Sequence, residues 1–170
     1  QDVELYGDVV KKLQACSAPN RSSTTSSRPT GPSSTATKPN APGGTSAADY
    51  IVQGDNYRQA KKYPEAVEAF KKSISIEPSI GAYSRLGVVY LDDLKQYPEA
   101  LAAFEVAIRL EPDSATAHFN LASAFYGLKQ YDKTITPLKE AIRLDPAHAA
   151  SWNLLGLVYW RLDQYAESEK

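Results

Sequence analysis

The sequence predicts an all-α fold, a solenoid of stacked helix-turn-helix units that begins near residue 47. Three stretches are near copies of one another: KYPEAVEAFKKSISIEP at 62–78, QYPEALAAFEVAIRLEP at 96–112 and QYDKTITPLKEAIRLDP at 130–146. Their closing prolines, Pro78, Pro112 and Pro146, lie 34 residues apart. A fixed period of this size is typical of architectures in which every repeat is one supersecondary unit.

The second helix of each unit has clear start and stop signals. Pro64 and Pro98 each follow a tyrosine, and a proline at the first helical position loses no hydrogen bond. Residues at i, i+4 and i+7 then share one helix face, as Ala66, Phe70 and Ser73 do in the first unit. Ala100, Phe104 and Ala107 take the same places in the second unit. The closing proline ends the helix, because it has no N–H to donate.

The first helix of each unit carries a complementary pattern of one small residue beside large ones. The copies are Leu86-Gly87-Tyr90, Leu121-Ala122-Phe125 and Leu155-Gly156-Tyr159, with Tyr50, Gly54 and Tyr57 as a weaker first copy. A small residue lets two helix backbones approach, and the large residues fill the space beside it. The pattern therefore predicts that each first helix packs closely against its second helix.

Three departures from the repeat carry their own expectations. The second unit has one extra residue within YLDDLKQYPEA, for which we expect a slightly longer turn. Pro137 lies inside the second helix of the third unit, where an interior proline predicts a kink or a shifted helix start. A fourth copy reaches Lys170 within its expected second helix. Its apolar edge is expected to be exposed, covered by a neighbouring molecule, or followed by more chain.

Two segments of different composition precede the repeats. Residues 1–16 place Tyr6, Val9, Val10 and Leu13 at helical spacing, which predicts a short amphipathic helix. Residues 17–46 contain fourteen Ser or Thr and five Pro, with no aromatic residue and no Val, Leu or Ile. This Ser/Thr/Pro-rich composition cannot bury enough apolar surface to fold, so it predicts a linker.

The linker also has the composition of a glycosylated stalk, with an unmodified tether as the alternative. The segment Asn20-Arg21-Ser22 fits the N-glycosylation sequon. The candidate glycosylation residues are Asn20, Ser22, Ser23, Thr24 and Thr25. A stalk of this kind favours an exported or cell-surface location.

The overall composition argues against several classes of protein. The 170 residues carry a net charge of −1, whereas nucleic-acid binding usually requires a strong basic excess. No apolar run approaches the roughly 20 residues of a membrane-spanning helix. One cysteine, Cys16, cannot form an intrachain disulfide.

Taken together, the residues of the units resemble the tetratricopeptide repeat (TPR) family. The shared positions are Leu followed by Gly or Ala, then Tyr or Phe, and then Ala, Phe, Ala and Pro at set intervals. The resemblance covers residues 47–170, as units at 47–79, 80–114 and 115–148 and a partial unit at 149–170. It implies a right-handed superhelix whose first helices line a concave face that binds extended peptides or partner helices.

Carried over copy by copy, the resemblance implies a set of partner-binding residues on the first helices. They are Ile51, Asp55, Arg58, Val88, Leu91, Phe119, Asn120, Ser123, Tyr126, Asn153, Leu157, Trp160 and Arg161. The set becomes more apolar toward the C-terminus, which predicts an anchor pocket built on Phe119, Tyr126, Leu157 and Trp160. Ordinary packing is the alternative for Val88 and Leu91, and packing against a further repeat is the alternative for Trp160.

One branch of the family grips the C-terminal carboxylate of heat-shock chaperones with Lys, Asn and Arg side chains. The corresponding positions here hold Ile51, Asp55, Arg85, Thr116 and Asn120, of which Asn120 alone fits. The sequence therefore predicts a partner other than that chaperone peptide.

Catalytic and metal-binding patterns are absent from the sequence. His118 and His148 lie 30 residues apart without Cys, Asp or Glu at ligand spacing, so we expect packing or surface histidines. Cys16 has no neighbour that would activate it as a nucleophile. No glycine-rich phosphate loop occurs. We expect a non-enzymatic protein without cofactor or metal.

The sequence is compatible with three functions. The leading hypothesis is an interaction scaffold that binds a peptide or a partner helix. The first alternative is a structural subunit that assembles head-to-tail with other copies of itself, since such contacts build rings or filaments. The second is a regulatory part of a larger enzyme.

Overall fold

Seven α-helices and one π-helical turn make up the part of the protein that the computed structural model describes, residues 46–168. The helices are α1 (Ala47–Gln59), α2 (Tyr63–Ile76), α3 (Ile80–Val88), α4 (Tyr97–Leu110), α5 (Ala115–Gly127), α6 (Tyr131–Leu144) and α7 (Ala149–Ser168). The π-helical turn, Val89–Asp93, continues α3. The predicted all-α fold is confirmed, and the predicted helix at residues 1–16 lies outside the described residues.

The helices pack in chain order as antiparallel pairs. α1 packs on α2, α3 on α4 and α5 on α6, and each pair contacts the next through its second helix. First helices of neighbouring units also touch, as α5 does with both α3 and α7. This arrangement stacks the units into a row, in which each unit buries the face that it cannot bury alone.

The core lies along the buried stripe of the second helices. Phe70 of α2, Phe104 of α4 and Leu138 of α6 occupy equivalent positions and are fully buried. Small residues occupy the next turn in each helix: Ser73, Ala107 and Ala141. The predicted i, i+4, i+7 face is therefore the face that forms the core.

Helix ends are set by serine caps and by left-handed residues. Ser46, Ser79 and Ser114 accept hydrogen bonds from the first turns of α1, α3 and α5. A serine oxygen at this position satisfies a backbone N–H that has no partner within the helix. The turn from first to second helix contains a lysine with φ of 57° or 58° in three units, at Lys61, Lys95 and Lys129.

The extra residue of the second unit does not lengthen the turn, contrary to expectation. It widens the end of the first helix into a π-helical turn, where Leu94 N donates to Val89 O at 3.0 Å. A single π turn is the usual way in which a helix absorbs one inserted residue. The turn before Tyr97 then keeps the same form as in the other units.

Pro137 does not shift the start of its helix. α6 begins at Tyr131, as α2 and α4 begin at the equivalent Tyr63 and Tyr97, and it runs to Leu144 with the proline inside. Pro137 is buried at the place that Ala69 and Ala103 occupy in the other units. Burial of the stripe on both sides of the proline offsets the hydrogen bond that it cannot donate.

The fourth copy does not turn where the other units turn. α7 continues as one helix from Ala149 to Ser168. Residues 162–168 thus continue the first helix of the fourth copy, where the other units have a turn and the start of a second helix.

Candidate partner-binding face

The surface formed by α1, α3, α5 and α7, here called the first-helix face, carries the predicted partner-binding residues. Its N-terminal half is crossed by ion pairs between units. Arg85 Nε donates to Asp55 Oδ2 at 3.1 Å. Arg58 Nε donates to Asp93 Oδ2 at 2.5 Å, and its Nη2 lies 3.8 Å from Asp92 Oδ2. Asp55 and Arg58 are thus brought together with charged partners of the next unit, which satisfy them.

Three apolar candidates in this half pack inside the molecule. Leu91 is buried in a cluster with Ala100 and Phe104, and Val88 packs against the same cluster. Ile51 packs against the cluster around Phe70. The side chains of these three residues therefore contribute to the core.

The C-terminal half of the first-helix face is apolar and open. Leu157 is 39% exposed and Trp160 is 47% exposed, both on α7. Arg161 holds its guanidinium over the Trp160 ring, 4.8 Å from the centroid. α5 has no Asp, Glu, Lys or Arg, and α7 has none before Arg161. This half therefore presents large apolar side chains on a nearly uncharged surface.

Phe119 and Tyr126 of α5 form the inner border of that surface. Both are half-buried against the cluster around Leu138 and Leu155. The Phe119 ring meets the His148 ring edge to face, with centroids 5.1 Å apart, and the Tyr126 and Tyr131 centroids are 5.3 Å apart. Ser123 Oγ donates to Phe119 O at 2.9 Å. The ring contacts with His148 and Tyr131 restrict the orientations of Phe119 and Tyr126.

Two amide side chains stand free on the same half. Asn120 of α5 is half-buried and Asn153 of α7 is exposed. Within the described residues, neither amide has a hydrogen-bond partner, although each can donate two bonds and accept two. The two amides therefore lie on neighbouring first helices, within the apolar half of the face.

Both histidines have structural roles that the sequence did not reveal. His118 Nε2 lies 2.9 Å from Pro112 O, and a carbonyl only accepts, so Nε2 carries the proton. Trp152 Nε1 makes the equivalent bond to Pro146 O at 3.0 Å. His148 Nδ1 accepts from Ser151 N at 3.3 Å and lies 2.7 Å from Ser151 Oγ, so His148 caps α7. His118 and Trp152 lie one repeat period, 34 residues, apart. This spacing is the signal that could have predicted the bond from His118 to Pro112 O.

The described part of the chain has neither a metal-binding cluster nor a helix that could span a membrane. Residues 46–168 contain no cluster of three His, Cys, Asp or Glu side chains that could hold a metal ion. None of their helices has both the length and the hydrophobicity of a membrane span. The candidate glycosylation residues, Asn20 to Thr25, lie outside the described residues and stay predictions.

Comparison with known proteins identifies the family. The model of the cilia and flagella-associated protein 70 C-terminal domain, a TPR family, matches residues 11–170. The chain belongs to this TPR family. No curated protein matches its sequence closely enough to count as a relative. The resemblance inferred from the repeat is thereby confirmed.

Solved structures show where this TPR chain stands among similar folds. The second TPR domain of human RPAP3, solved with the HSP70 peptide SGPTIEEVD, is 18% identical with a TM-score of 0.63, over 66% of this chain and 94% of that one. The Sgt2 TPR domain from Aspergillus fumigatus is 16% identical with a TM-score of 0.68, over 73% and 83%. MamA from Desulfovibrio magneticus is 28% identical with a TM-score of 0.65, over 74% and 71%.

Proposed function

We propose that this TPR chain is a non-enzymatic interaction scaffold that binds an extended peptide on the C-terminal half of its first-helix face. The observation that carries the proposal is the exposure of Leu157 and Trp160 on the same half of the face as the unpaired amides of Asn120 and Asn153. Trp is enriched among the few residues that supply most of the binding energy at protein interfaces. The amides can fix the register of a peptide backbone through hydrogen bonds.

The charged residues of the first-helix face indicate which class of peptide it would bind. The charged side chains of the N-terminal half, Asp55 and Arg58, are occupied by Arg85, Asp92 and Asp93. The C-terminal half offers Arg161 as its one charge up to Leu162, and that guanidinium lies over Trp160. An uncharged apolar segment therefore fits this face better than an acidic peptide such as the one seen with human RPAP3.

The test is a selection from a displayed library of random peptides on the full chain, followed by calorimetry with one selected peptide. Trp160→Ala is expected to weaken binding by roughly 30-fold, the loss of about 2 kcal/mol that an aromatic anchor typically costs. Asn120→Ala is expected to weaken it about fivefold, because one peptide hydrogen bond is lost. The peptide SGPTIEEVD is expected to bind no more tightly than a scrambled peptide.

Val52→Ala is the matched control. Val52 is 60% exposed on the first helix α1, outside the proposed patch, so its removal is expected to leave the affinity unchanged. Circular dichroism establishes that each variant is folded. Equal affinities for the Trp160 and Val52 variants would exclude this half of the face as the binding site.

A second candidate function rests on the same exposed residues. Leu157 and Trp160 could be covered by another copy of the chain. Light scattering over a concentration series separates the two functions, because a peptide-binding monomer keeps a molar mass of 18.6 kDa. A mass that climbs with concentration, and that Trp160→Ala returns to 18.6 kDa, supports self-association.

A further inference from the structure

A separate pocket opens between two of the second helices. Its volume is about 1000 Å³ and its walls come from α4 and α6, with α5 as the floor. Ile108 and Arg109 line it from α4, His118 and Leu121 from α5, and Pro137 and Lys139 from α6. None of these residues belongs to the predicted partner-binding set, so the pocket shares no residue with the proposed peptide site.

The pocket lies where the third unit departs from the others. His118 stands four residues before the small residue of its first helix, and the other units have a larger ring in the equivalent place. Those residues are Tyr50, Tyr83 and Trp152. His118 and Trp152 make the same bond to a proline carbonyl, so the two rings are placed alike. The smaller imidazole leaves room for an aromatic side chain supplied from elsewhere.

The charged side chains at the rim of the pocket indicate which residues would flank an aromatic side chain bound there. Arg109 and Lys139, on opposite walls, have no ion-pair or hydrogen-bond partner among the described residues. Glu140 is occupied, since its two oxygens accept from Arg143 at 2.9 and 2.7 Å. The rim therefore sets two unpaired cations against one unpaired carboxylate, Glu105. An aromatic side chain flanked by carboxylates is complementary to this arrangement.

The chain itself contains such a segment. Tyr6 is the one aromatic residue in the sequence 1–45, and Glu4 and Asp8 flank it at a distance of two residues. A tether of 30 residues has a root-mean-square reach on the order of 30 Å if flexible. Neighbouring packed helices lie about 8–10 Å apart, so a pocket two units from Ser46 is within that reach.

We propose that Tyr6 occupies this pocket of its own chain, with Glu4 and Asp8 facing Arg109 and Lys139. Tethering places the segment at an effective concentration on the order of millimolar, so a weak contact suffices to hold it. The pocket is then the docking site for the amphipathic N-terminal segment, and the first-helix face stays free for a partner.

Photocrosslinking on the full chain tests the proposal. Tyr6→p-benzoylphenylalanine is expected to give a monomer-sized adduct on peptides that contain Ile108, Leu121 or Pro137. His118→Trp, which fills the pocket with the chain's own ring, is expected to reduce the yield about tenfold or more. His118→Tyr is the milder second variant, and Tyr83→Trp, where the place is already filled, is the matched control with an unchanged yield.

Charge reversal tests the ion pairs separately. Arg109→Glu with Lys139→Glu is expected to lower the yield about tenfold, as two favourable surface pairs become repulsive. Adding Glu4→Lys and Asp8→Lys is expected to restore it. Crosslinked dimers, adducts around Leu157 and Trp160, absence of any adduct, or a yield indifferent to His118→Trp would each overturn the proposal. The peptide-binding assay on the first-helix face is independent of all these outcomes.

Discussion

Gly87 of α3 lies against the ring of Phe104 of α4. A β-carbon at residue 87 would stand 2.5 Å from Phe104 Cε1, and one at Gly54 would stand at the same distance from Phe70 Cε1. Both rings are fully buried. The pairing of a glycine with a buried ring therefore sets how closely the two helices of these units approach.

Gly87→Ala is expected to destabilise the protein by about 1–3 kcal/mol, since the added methyl group must displace a buried ring. The loss is expected even though alanine favours a helix over glycine by about 1 kcal/mol. Chemical denaturation followed by circular dichroism measures the change. The control is Gly81→Ala in the same helix, where the new carbon would meet only the end of the Arg85 side chain at 3.3 Å. That variant is expected to be neutral or more stable, and an equal loss in both would contradict the packing explanation.

Lys129 adopts a φ of 58° in the turn between α5 and α6. A left-handed conformation costs an L-residue about 1–2 kcal/mol, which glycine does not lose. A glycine at residue 129 would avoid this cost, but part of the resulting gain in stability is offset because glycine makes the unfolded chain more flexible. Lys129→Gly is thus expected to raise the free energy of unfolding by roughly 0.5–1 kcal/mol in urea titrations. Lys133→Gly, within α6, is expected to lower it by about as much, and a gain in both variants would refute the argument.

The Ser46–Asp49 capping box predicts a pH dependence of stability. Hydrogen bonds from the Ser46 backbone and hydroxyl lower the pKa of Asp49 below its usual value. A carboxyl whose pKa is lower in the folded state stabilises the fold above its unfolded pKa, and this stability is lost as the pH falls through the folded pKa. Asp49→Asn is therefore expected to lower the melting temperature at about pH 6 and to match the wild type at about pH 2. A difference that persists unchanged in acid would exclude the carboxylate as its cause.

The sequence predicted what depends on one unit and its period. The buried stripe with Phe70, Phe104 and Leu138, the proline stops and the small residues of the first helices follow from spacing within a helix. The pairs Asp55–Arg85 and Arg58–Asp93 could not be predicted, because they join residues 30 and 35 apart and depend on how one unit is rotated against the next. These pairs lie in the N-terminal half of the candidate site, and the C-terminal half is apolar because α5 and most of α7 have no charged residue.

Positions at which one unit departs from the repeat were also hard to predict from the sequence. His118 occupies an aromatic position of the repeat, and its bond to Pro112 O becomes visible only when the turn is folded. The continuous helix α7 was not predicted, because residues 162–164 repeat the pattern that residues 128–130 have in the turn of the third unit. The repeat pattern alone therefore does not establish where a helix ends.

The π-helical turn at Val89–Asp93 makes the length of the second unit adjustable. Deletion of Asp93 removes the inserted residue, so α3 is expected to end as an ordinary α-helix and the turn at Lys95 to keep its form. Asp92 remains to pair with Arg58, which it already approaches at 3.8 Å. The Arg58–Asp93 pair that is lost is partly buried, so the stability is expected to fall by at most about 3 kcal/mol, the upper scale of a hydrogen bond between charged groups.

The matched deletion is that of Ala102, an exposed residue within α4. Loss of one residue there rotates every later side chain of the helix by about 100°, which moves Phe104 and Ala107 off the buried face. This variant is expected to lose cooperative thermal unfolding, measured by circular dichroism at 222 nm, while the Asp93 deletion retains it. If both deletions unfolded the protein, the extra residue would be a structural requirement of the second unit, and the π turn would not be a tolerated insertion.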